Sequence, residues 1–375
     1  MRILVCPQEF KGSLTASEAA QAIAAGLRDA LPDAELELLP MADGGPGTVE
    51  IVYAAAGGTL VTSEVRGPLG APVQATFGLL GGEPPRAIVE AAAAAGLLLL
   101  HPHERQPTHA STYGVGQQIA AAIEAGTREV IVGVGGTATN DGGAGALQAL
   151  GVRLLDADGH ELGPGPLELS RLDRIDASGV TPEVRETRLR VAVDVRNPLL
   201  GPAGATAIYG PQKGVTPEFG DMIEAALEHW VAMLARDLGV VATGLEGGGA
   251  GGGLPAGLAA LPSTVGGAVV EGGAVLVGEA VGLDAAIARA DLVVTGEGSL
   301  DAQTGYGKTV SYVAERAAFL RVPCIAVAGV VASLPEGVRD AEAAQPDGVA
   351  SEDAMARAAE LVREAAARLG RRVAG

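Results

Sequence analysis

Aromatic residues and cysteines are scarce in this chain of 375 residues. Because aromatics make up only 3%, the core has to be built mainly from closely packed Ala, Val, Leu and Ile. The only two cysteines, Cys6 and Cys324, lie inside apolar runs, which favours buried thiols over a disulfide or metal framework. The five histidines form no HxxH or HExxH arrangement, which disfavours a zinc hydrolase.

Clusters of basic residues are also missing, and the formal net charge is −19. Binding to nucleic acid or to an anionic membrane needs clustered Lys and Arg, so neither partner is expected. The apolar stretch 87–100 is shorter than the ~20 residues of a spanning helix, and the first ten residues do not resemble a signal peptide. These features predict a cytoplasmic protein.

Strand-like and helix-like runs alternate along the chain, which predicts an α/β fold with a mostly parallel sheet. The length favours two domains. We expect a Rossmann/flavodoxin-like parallel-sheet domain from residues 1–60 plus 285–375, and an inserted mixed α/β domain from residues 61–284. The active site is expected in the interdomain cleft.

Three stretches depart from this alternation. Thr59–Val65 and Val73–Leu80 predict an antiparallel pair, and the polar, Pro- and Gly-rich residues 158–188 predict loop. The glycine cluster at residues 246–257 fits either a flexible linker or a ligand-facing loop.

Six segments combine a strand end with Gly and Asp, Glu or Lys, and this is where α/β proteins place ligand chemistry. They are QEFKGSLTASEAA, MADGGPGT, GVGGTATNDGGAG, AVDVRNPLLGPAG, YGPQKG and TGEGSLDAQTGYGKT. In the first, Thr15 and Glu18 have capping-box spacing, whereas Lys11 is a candidate anion ligand between strand and helix. Asp43 in the second segment is compatible with an ordinary turn.

The third segment supports two hypotheses. Gly133, Gly135 and Ala138 match the dinucleotide fingerprint G-x-G-x-x-A, with Asp156 at the end of the next predicted strand. Against that reading, a carboxylate in the same turn would oppose a pyrophosphate. The residues Thr139, Asn140 and Asp141 better suit hydrogen bonds to substrate hydroxyls or to hydrated Mg²⁺.

The remaining segments supply acids and lysines. The last segment lacks the first glycine of a Walker A loop, but Glu297, Asp301 and Lys308 suit binding of Mg²⁺ and phosphate. The other two segments place polar groups at a strand exit and in a turn, namely Asp194, Asn197 and Lys213. For these residues an ordinary turn is an equally good explanation.

Taken in order, the six segments resemble motifs of the type I glycerate kinase family, and the resemblance covers nearly the whole chain. It implies transfer of the γ-phosphoryl group of ATP to D-glycerate, at the 2-hydroxyl, with Mg²⁺. Gln8-Glu9 stands where the family usually has Asp-Ser, and Pro46 replaces a usual Glu. The sequence leaves open the 3-position as acceptor and a homodimer as assembly.

Hypothetical roles follow from this resemblance. Asp43 or Asp194 would orient and deprotonate the hydroxyl, while Lys11 and Lys213 would meet the carboxylate and the transferring phosphoryl group. The expected substrate contacts are Lys213, Asn140, Asp141, Thr139 and Asn197; the expected nucleotide contacts are Gly135, Gly136, Gly296 and Lys308; and the expected metal ligands are Glu297 and Asp301. Two alternatives stay open, an NAD-dependent dehydrogenase of a small hydroxy acid and a non-catalytic sugar-acid sensor.

Overall fold

The computed structural model describes residues 1–301, 309–346 and 348–374. Its strands are β1 (Arg2–Val5), β2 (Glu35–Leu38), β3 (Thr59–Arg66), β4 (Pro72–Leu80), β5 (Arg86–Glu90), β6 (Glu129–Gly133), β7 (Arg153–Leu155), β8 (Arg174–Asp176), β9 (Arg188–Ala192), β10 (Val269–Glu271), β11 (Leu292–Leu300), β12 (Cys324–Val331) and β13 (Val338–Ala343). Its α-helices are α1 (Ala16–Ala30), α2 (Thr48–Ala56), α3 (Ala91–Ala95), α4 (Tyr113–Glu124), α5 (Ala144–Ala149), α6 (Pro182–Glu186), α7 (Ala205–Tyr209), α8 (Pro217–Leu238), α9 (Leu254–Ala259), α10 (Gly273–Val281), α11 (Leu283–Ile287), α12 (Thr309–Phe319), α13 (Ser351–Ala356) and α14 (Ala358–Ala374).

The chain forms two compact units. The first comprises Met1–Asp43, Glu50–Ala56 and Ala274–Gly375, and the second comprises Gly44–Val49 and Gly57–Gly273. Compactness is not the same property as independent folding. The domain boundaries predicted from the sequence, 1–60 with 285–375 and 61–284, therefore stay a prediction about autonomous domains.

The first unit is built on a five-stranded sheet in the order β13-β12-β11-β1-β2, with parallel pairing throughout. Its central strands are apolar and buried, as expected for a parallel sheet covered on both faces. Helix α1 packs closely on α14, since a Cβ added at Gly26 would lie 2.0 Å from the carbonyl oxygen of Arg363. Thr15 and Glu18 form the predicted capping box at the start of α1.

The second unit contains a six-stranded mixed sheet in the order β10-β9-β6-β5-β4-β3. Strands β3, β4 and β5 pair antiparallel, which confirms the predicted antiparallel pair, and the remaining pairs are parallel. The predicted fold class, a parallel sheet in one unit and a mixed α/β arrangement in the other, is confirmed. Its core includes Trp230, the single tryptophan of the chain, which is fully buried.

The prediction of loop for residues 158–188 is wrong in part. The stretch contains a 3-10 helix at Pro166–Arg171, strand β8 and helix α6. Leu169, Leu172 and Ile175 are buried in the core of the second unit, so regularly spaced apolar residues outweigh the surrounding Pro and Gly.

Candidate functional site

The carboxyl end of the parallel sheet in the first unit gathers several of the predicted site residues. After β1 the chain continues alongside β11, and the backbone N–H of Gln8 donates to the carbonyl of Gly296 at 2.8 Å. A Cβ on Gly296 would lie 2.1 Å from the carbonyl oxygen of Val327, so the close approach of β11 and β12 requires glycine here. Strand packing by itself therefore accounts for glycine at position 296, and its contact with a nucleotide stays a prediction.

Asp43 lies beside Gln8 in this unit. The side-chain amide of Gln8 donates to Asp43 Oδ2 at 2.7 Å. Partial burial of the Glu9 carboxyl group, and then the charge of Asp43, raise the pKa of Glu9, whereas the charge of Lys11 lowers it. The structure therefore brings together Gln8, Glu9, Lys11 and Asp43. In the sequence Gln8 stands out only as a departure from the family motif, and its contact with Asp43 is visible only in the structure.

Two predicted metal ligands also belong to the first unit. Glu297 lies on β11 and is 9% exposed, and Asp301 follows directly after that strand. Both carry carboxylate oxygens, the donor chemistry that Mg²⁺ prefers. The predicted nucleotide contact Lys308 lies outside the described residues.

A buried polar loop follows β6 in the second unit. Gly136 has a φ of +71°, in the region that favours glycine, and it is exposed, whereas the following residues turn inward. Thr137, Thr139 and Asn140 are at most 3% exposed. Three of their polar atoms have no hydrogen-bond partner within the described part of the chain: Thr137 Oγ1, Thr139 Oγ1 and Asn140 Oδ1. Because buried polar atoms are nearly always paired, this loop has the character of a ligand site.

Asp141 closes this loop and is 1% exposed. Its carboxylate accepts hydrogen bonds from the backbone N–H and Oγ1 of Thr112 at 2.8 and 2.9 Å, and from the N–H groups of Gly143 and Gly145 at 3.1 and 3.2 Å. Burial raises the pKa of Asp141, and these hydrogen bonds oppose the rise. So many internal partners indicate that Asp141 organises the loop. Thr112 is not among the residues predicted from the sequence.

Lys213 approaches the same loop from the 3-10 turn Pro211–Lys213. It is 3% exposed, and its Nζ donates to the carbonyl oxygen of Thr139 at 2.7 Å. Burial lowers the pKa of Lys213 to about 8, while the charge of Asp141 acts in the opposite direction. The side-chain amide of Asn140 donates to Thr206 Oγ1 at 3.0 Å, which fixes the other side of the loop.

The glycine cluster supports this loop with its backbone. The N–H of Gly142 donates to the carbonyl of Gly252, and a Cβ on Gly252 would lie 1.9 Å from the carbonyl oxygen of Thr139. The cluster is mostly buried and includes the 3-10 turn Ala250–Gly252 and the start of α9. The flexible-linker interpretation is therefore wrong, because the backbone packs at a distance that only glycine permits.

Asp194 and Asn197 follow β9. Asp194 Oδ1 accepts a hydrogen bond from the N–H of Gly273 at 3.0 Å, and Asp194 is partly exposed. The amide of Asn197 accepts from the hydroxyl of Tyr209 at 2.6 Å and donates to the carbonyl of Ala203 at 2.8 Å. Asn197 thus braces the loop before α7.

The dinucleotide hypothesis for residues 133–156 is not supported. The helix after β6 begins only at Ala144, six residues beyond the last fingerprint position, Ala138. Strand β7, which precedes Asp156, pairs antiparallel with β8, whereas β6 pairs with β5 and β9. The segment therefore does not form the parallel βαβ unit that positions a nicotinamide cofactor.

One further acidic group lies in the second unit, where Asp156, Asp158 and His160 could offer ligand atoms within 4.8 Å of one another. Asp156 accepts hydrogen bonds from the N–H groups of Asp158 and His160 and from Arg171 at 2.9 Å. These contacts describe a hydrogen-bonded surface turn.

No described helix has the length and hydropathy needed to cross a membrane.

Comparisons with known proteins agree with one another. The sequence profile of the glycerate kinase family matches residues 3–374. A glycerate kinase of Bacillus subtilis (strain 168) is 44% identical over 371 residues, which cover 98% of this chain and 96% of that protein. A glycerate 2-kinase of Escherichia coli (strain K12) is 42% identical over 329 residues, 88% of this chain and 85% of that protein. A crystal structure from Salmonella typhimurium LT2, whose protein carries the provisional name glycerate kinase 2, is 41% identical with a TM-score of 0.86, and the match covers 100% of this chain and 98% of that one.

Proposed function

This chain belongs to the glycerate kinase family, and from that premise we propose that it transfers the γ-phosphoryl group of ATP to the 2-hydroxyl of D-glycerate, with Mg²⁺. The observation that carries the proposal is the match over nearly the full length of both chains to a protein named glycerate kinase. The relative named glycerate 2-kinase supports the 2-position as acceptor. The buried polar loop 137–141 gives a second, structural reason, since it offers polar atoms suited to a hydroxy acid.

In the proposed reaction the substrate hydroxyl attacks the γ-phosphorus in line, and positioning with charge neutralisation supplies most of the acceleration. Asp43 or Asp194 accepts the hydroxyl proton. Lys11, which is exposed and whose charge, like that of Asp43, acts on Glu9, meets the negative charge of the carboxylate or of the phosphoryl group. Thr139 and Asn140 contact the substrate.

We propose that the nucleotide contacts Gly135, Gly136, Gly296 and Lys308, as the sequence predicts. Lys308 lies outside the described residues. Glu297 and Asp301 would hold Mg²⁺, and their carboxylate oxygens fit this hard cation. Mg²⁺ bound to a nucleotide usually keeps several waters and takes only one or two protein carboxylates, so two acids suffice. When bound, the ion neutralises charge on the phosphate oxygens.

Two remaining substrate contacts are revised in the light of the geometry. Asn197 has both ends of its amide engaged by Tyr209 and Ala203, which makes it a brace of its loop. Asp141 is enclosed by hydrogen bonds from its own loop and from Thr112. We propose that both residues act on the substrate only through the loops they hold. Cytoplasmic residence, a homodimer and the location of the active site in a cleft stay predictions.

The proposal is tested by measuring ADP release on addition of D-glycerate to the purified protein with ATP and Mg²⁺. Phosphorus NMR of the product distinguishes the 2- from the 3-phosphate. Release of ADP that depends on D-glycerate, with a 2-phosphate product, is the expected result. Turnover with another hydroxy acid but not with glycerate would refute the substrate, and a 3-phosphate product would refute the acceptor position.

A further inference from the structure

Lysine is rare in this chain, and its positions are informative. Of the 26 basic residues only three are lysines, Lys11, Lys213 and Lys308, and each lies in one of the six motif segments. Lys213 is the buried one of the two that the structure describes, at 3% exposure. Lysine is almost never fully buried without a partner, because removing an ammonium from water is costly. A buried lysine in a chain that otherwise uses arginine calls for a specific reason.

The contacts of Lys213 supply that reason. Its Nζ donates to one backbone carbonyl, that of Thr139, and the charge of Asp141 stabilises the protonated ammonium. Arginine could not substitute, because its planar guanidinium presents five donors and needs more room and more acceptors. A nearby cation, Arg105, donates a hydrogen bond to the carbonyl of Gln212, on the same turn as Lys213.

The residue that Lys213 holds carries ligand-ready atoms. Thr139 Oγ1 and the neighbouring Asn140 Oδ1 are buried, and among the residues that the structure covers no hydrogen-bond partner is found for them. The opposite side of Asn140 is fixed by Thr206. The ammonium thus acts on the backbone of Thr139 and leaves the side-chain oxygens of the loop for a ligand.

We propose that Lys213 is a positioning residue, whose ammonium fixes the carbonyl of Thr139 and so holds Thr139 Oγ1 and Asn140 Oδ1 in place for the substrate. The identity of that substrate, D-glycerate, rests on the proposed function; the positioning role does not. In this role Lys213 does not touch glycerate. This proposal replaces the direct substrate contact that the sequence predicts for Lys213.

Protonation gives the proposal a signature of its own. The pKa of Lys213 is lowered from 10.5 to about 8, so the ammonium is lost as the pH rises through about 8. In the unfolded chain Lys213 keeps its proton up to its ordinary pKa of 10.5. Between a pH of about 8 and 10.5 the unfolded chain therefore binds more protons than the folded protein. The contribution of Lys213 to the free energy of unfolding therefore rises with pH over this range. Activity that depends on the ammonium should fall over the same pH range, in which the contribution of Lys213 to stability rises.

The test compares Lys213→Met, Lys213→Gln and Lys213→Arg with the wild type in the coupled ADP assay, from about pH 7 to about pH 10. Gln212→Met is the matched control, because Gln212 is the exposed neighbour on the same turn. We expect wild-type kcat/KM to fall above a pH of about 8. Lys213→Met should lower kcat/KM about 10-fold to 100-fold at neutral pH, the scale of a misplaced contact group, and should lose this alkaline fall. Lys213→Gln keeps a donor for the carbonyl and should recover part of the rate without the fall, and Lys213→Arg should not recover it.

A readout independent of catalysis separates this inference from the proposed function. Trp230 Nε1 donates to the carbonyl of Gly142, next to Asp141, so its fluorescence should titrate near pH 8 in the wild type but not in Lys213→Met. If glycerate is not a substrate but the fluorescence titrates as expected, the proposed function fails and the positioning role stands. Normal turnover of Lys213→Met, or an alkaline fall and a fluorescence titration that persist in it, would overturn the positioning role.

Discussion

Replacing Gly252 with alanine tests whether the glycine cluster sets the position of the polar loop. Gly252 has a φ of +73°, and a Cβ there would lie 1.9 Å from the carbonyl oxygen of Thr139 and 2.7 Å from the Cα of Asn140. Both obstacles are backbone atoms, so no side chain can rotate away. The loop or the cluster has to move, and Thr139 is the residue whose carbonyl Lys213 holds.

The magnitude follows from two separate terms. Left-handed backbone costs alanine about 1 kcal/mol relative to glycine. Forcing a methyl group into closely packed backbone costs a further ~1–3 kcal/mol. Gly239, at the exposed end of α8, provides the matched control, because its φ is +72° and nothing lies within 4 Å of its added Cβ. Gly239→Ala should therefore lose only the first term.

The fluorescence of Trp230, the single tryptophan, reports unfolding of the second unit in urea. We expect Gly252→Ala to lose ~2–4 kcal/mol and Gly239→Ala about 1 kcal/mol of the free energy of unfolding. Gly252→Ala should also lower kcat/KM with glycerate, measured without urea at a temperature where the variant is folded. Gly239→Ala should leave kcat/KM unchanged. Equal losses of stability in the two variants, or wild-type turnover by Gly252→Ala, would refute the close contact between the cluster and the loop.

Three further predictions concern the first unit and the proposed base. Asp43→Asn and Asp194→Asn are measured separately in the coupled ADP assay, and the variant that lacks the base should lose ~10²-fold or more in kcat. Near-normal turnover of both variants would exclude both residues as the base. If Asp43 is the base, Gln8→Glu should move the acid limb of the pH–rate profile to higher pH, because it puts a second carboxylate at hydrogen-bond distance from Asp43, near the charges of Glu9 and Lys11. Gln8→Met removes the hydrogen bond without adding a charge, so it should move the limb in the same direction but by less, and a larger shift in Gln8→Met than in Gln8→Glu would contradict this reasoning. Thr15→Ala removes the cap of α1 and should cost about 1 kcal/mol in urea unfolding followed by circular dichroism, with no change in KM; an unchanged midpoint would contradict the capping box.

Local signals in the sequence predicted the elements that depend on near neighbours. The capping box of α1, the antiparallel pair β3–β4 and the buried strands of the parallel sheet each follow from residue types within one short window. For residues 158–188 the Pro and Gly content predicts loop, but the spacing of the apolar residues that become buried is the better guide to the structure.

By itself, the sequence determined the α/β class, the order of the motif segments and the resemblance to a kinase family, since all of these are properties of residue type and spacing. Only the tertiary structure decided which of the motif residues meet. Lys213 and Thr139 are 74 positions apart, and Gly252 and Thr139 are farther still, so their contacts depend on how whole elements pack. Burial then decides the chemistry, because the same lysine that would be fully charged in water has its pKa lowered to about 8 once it is enclosed.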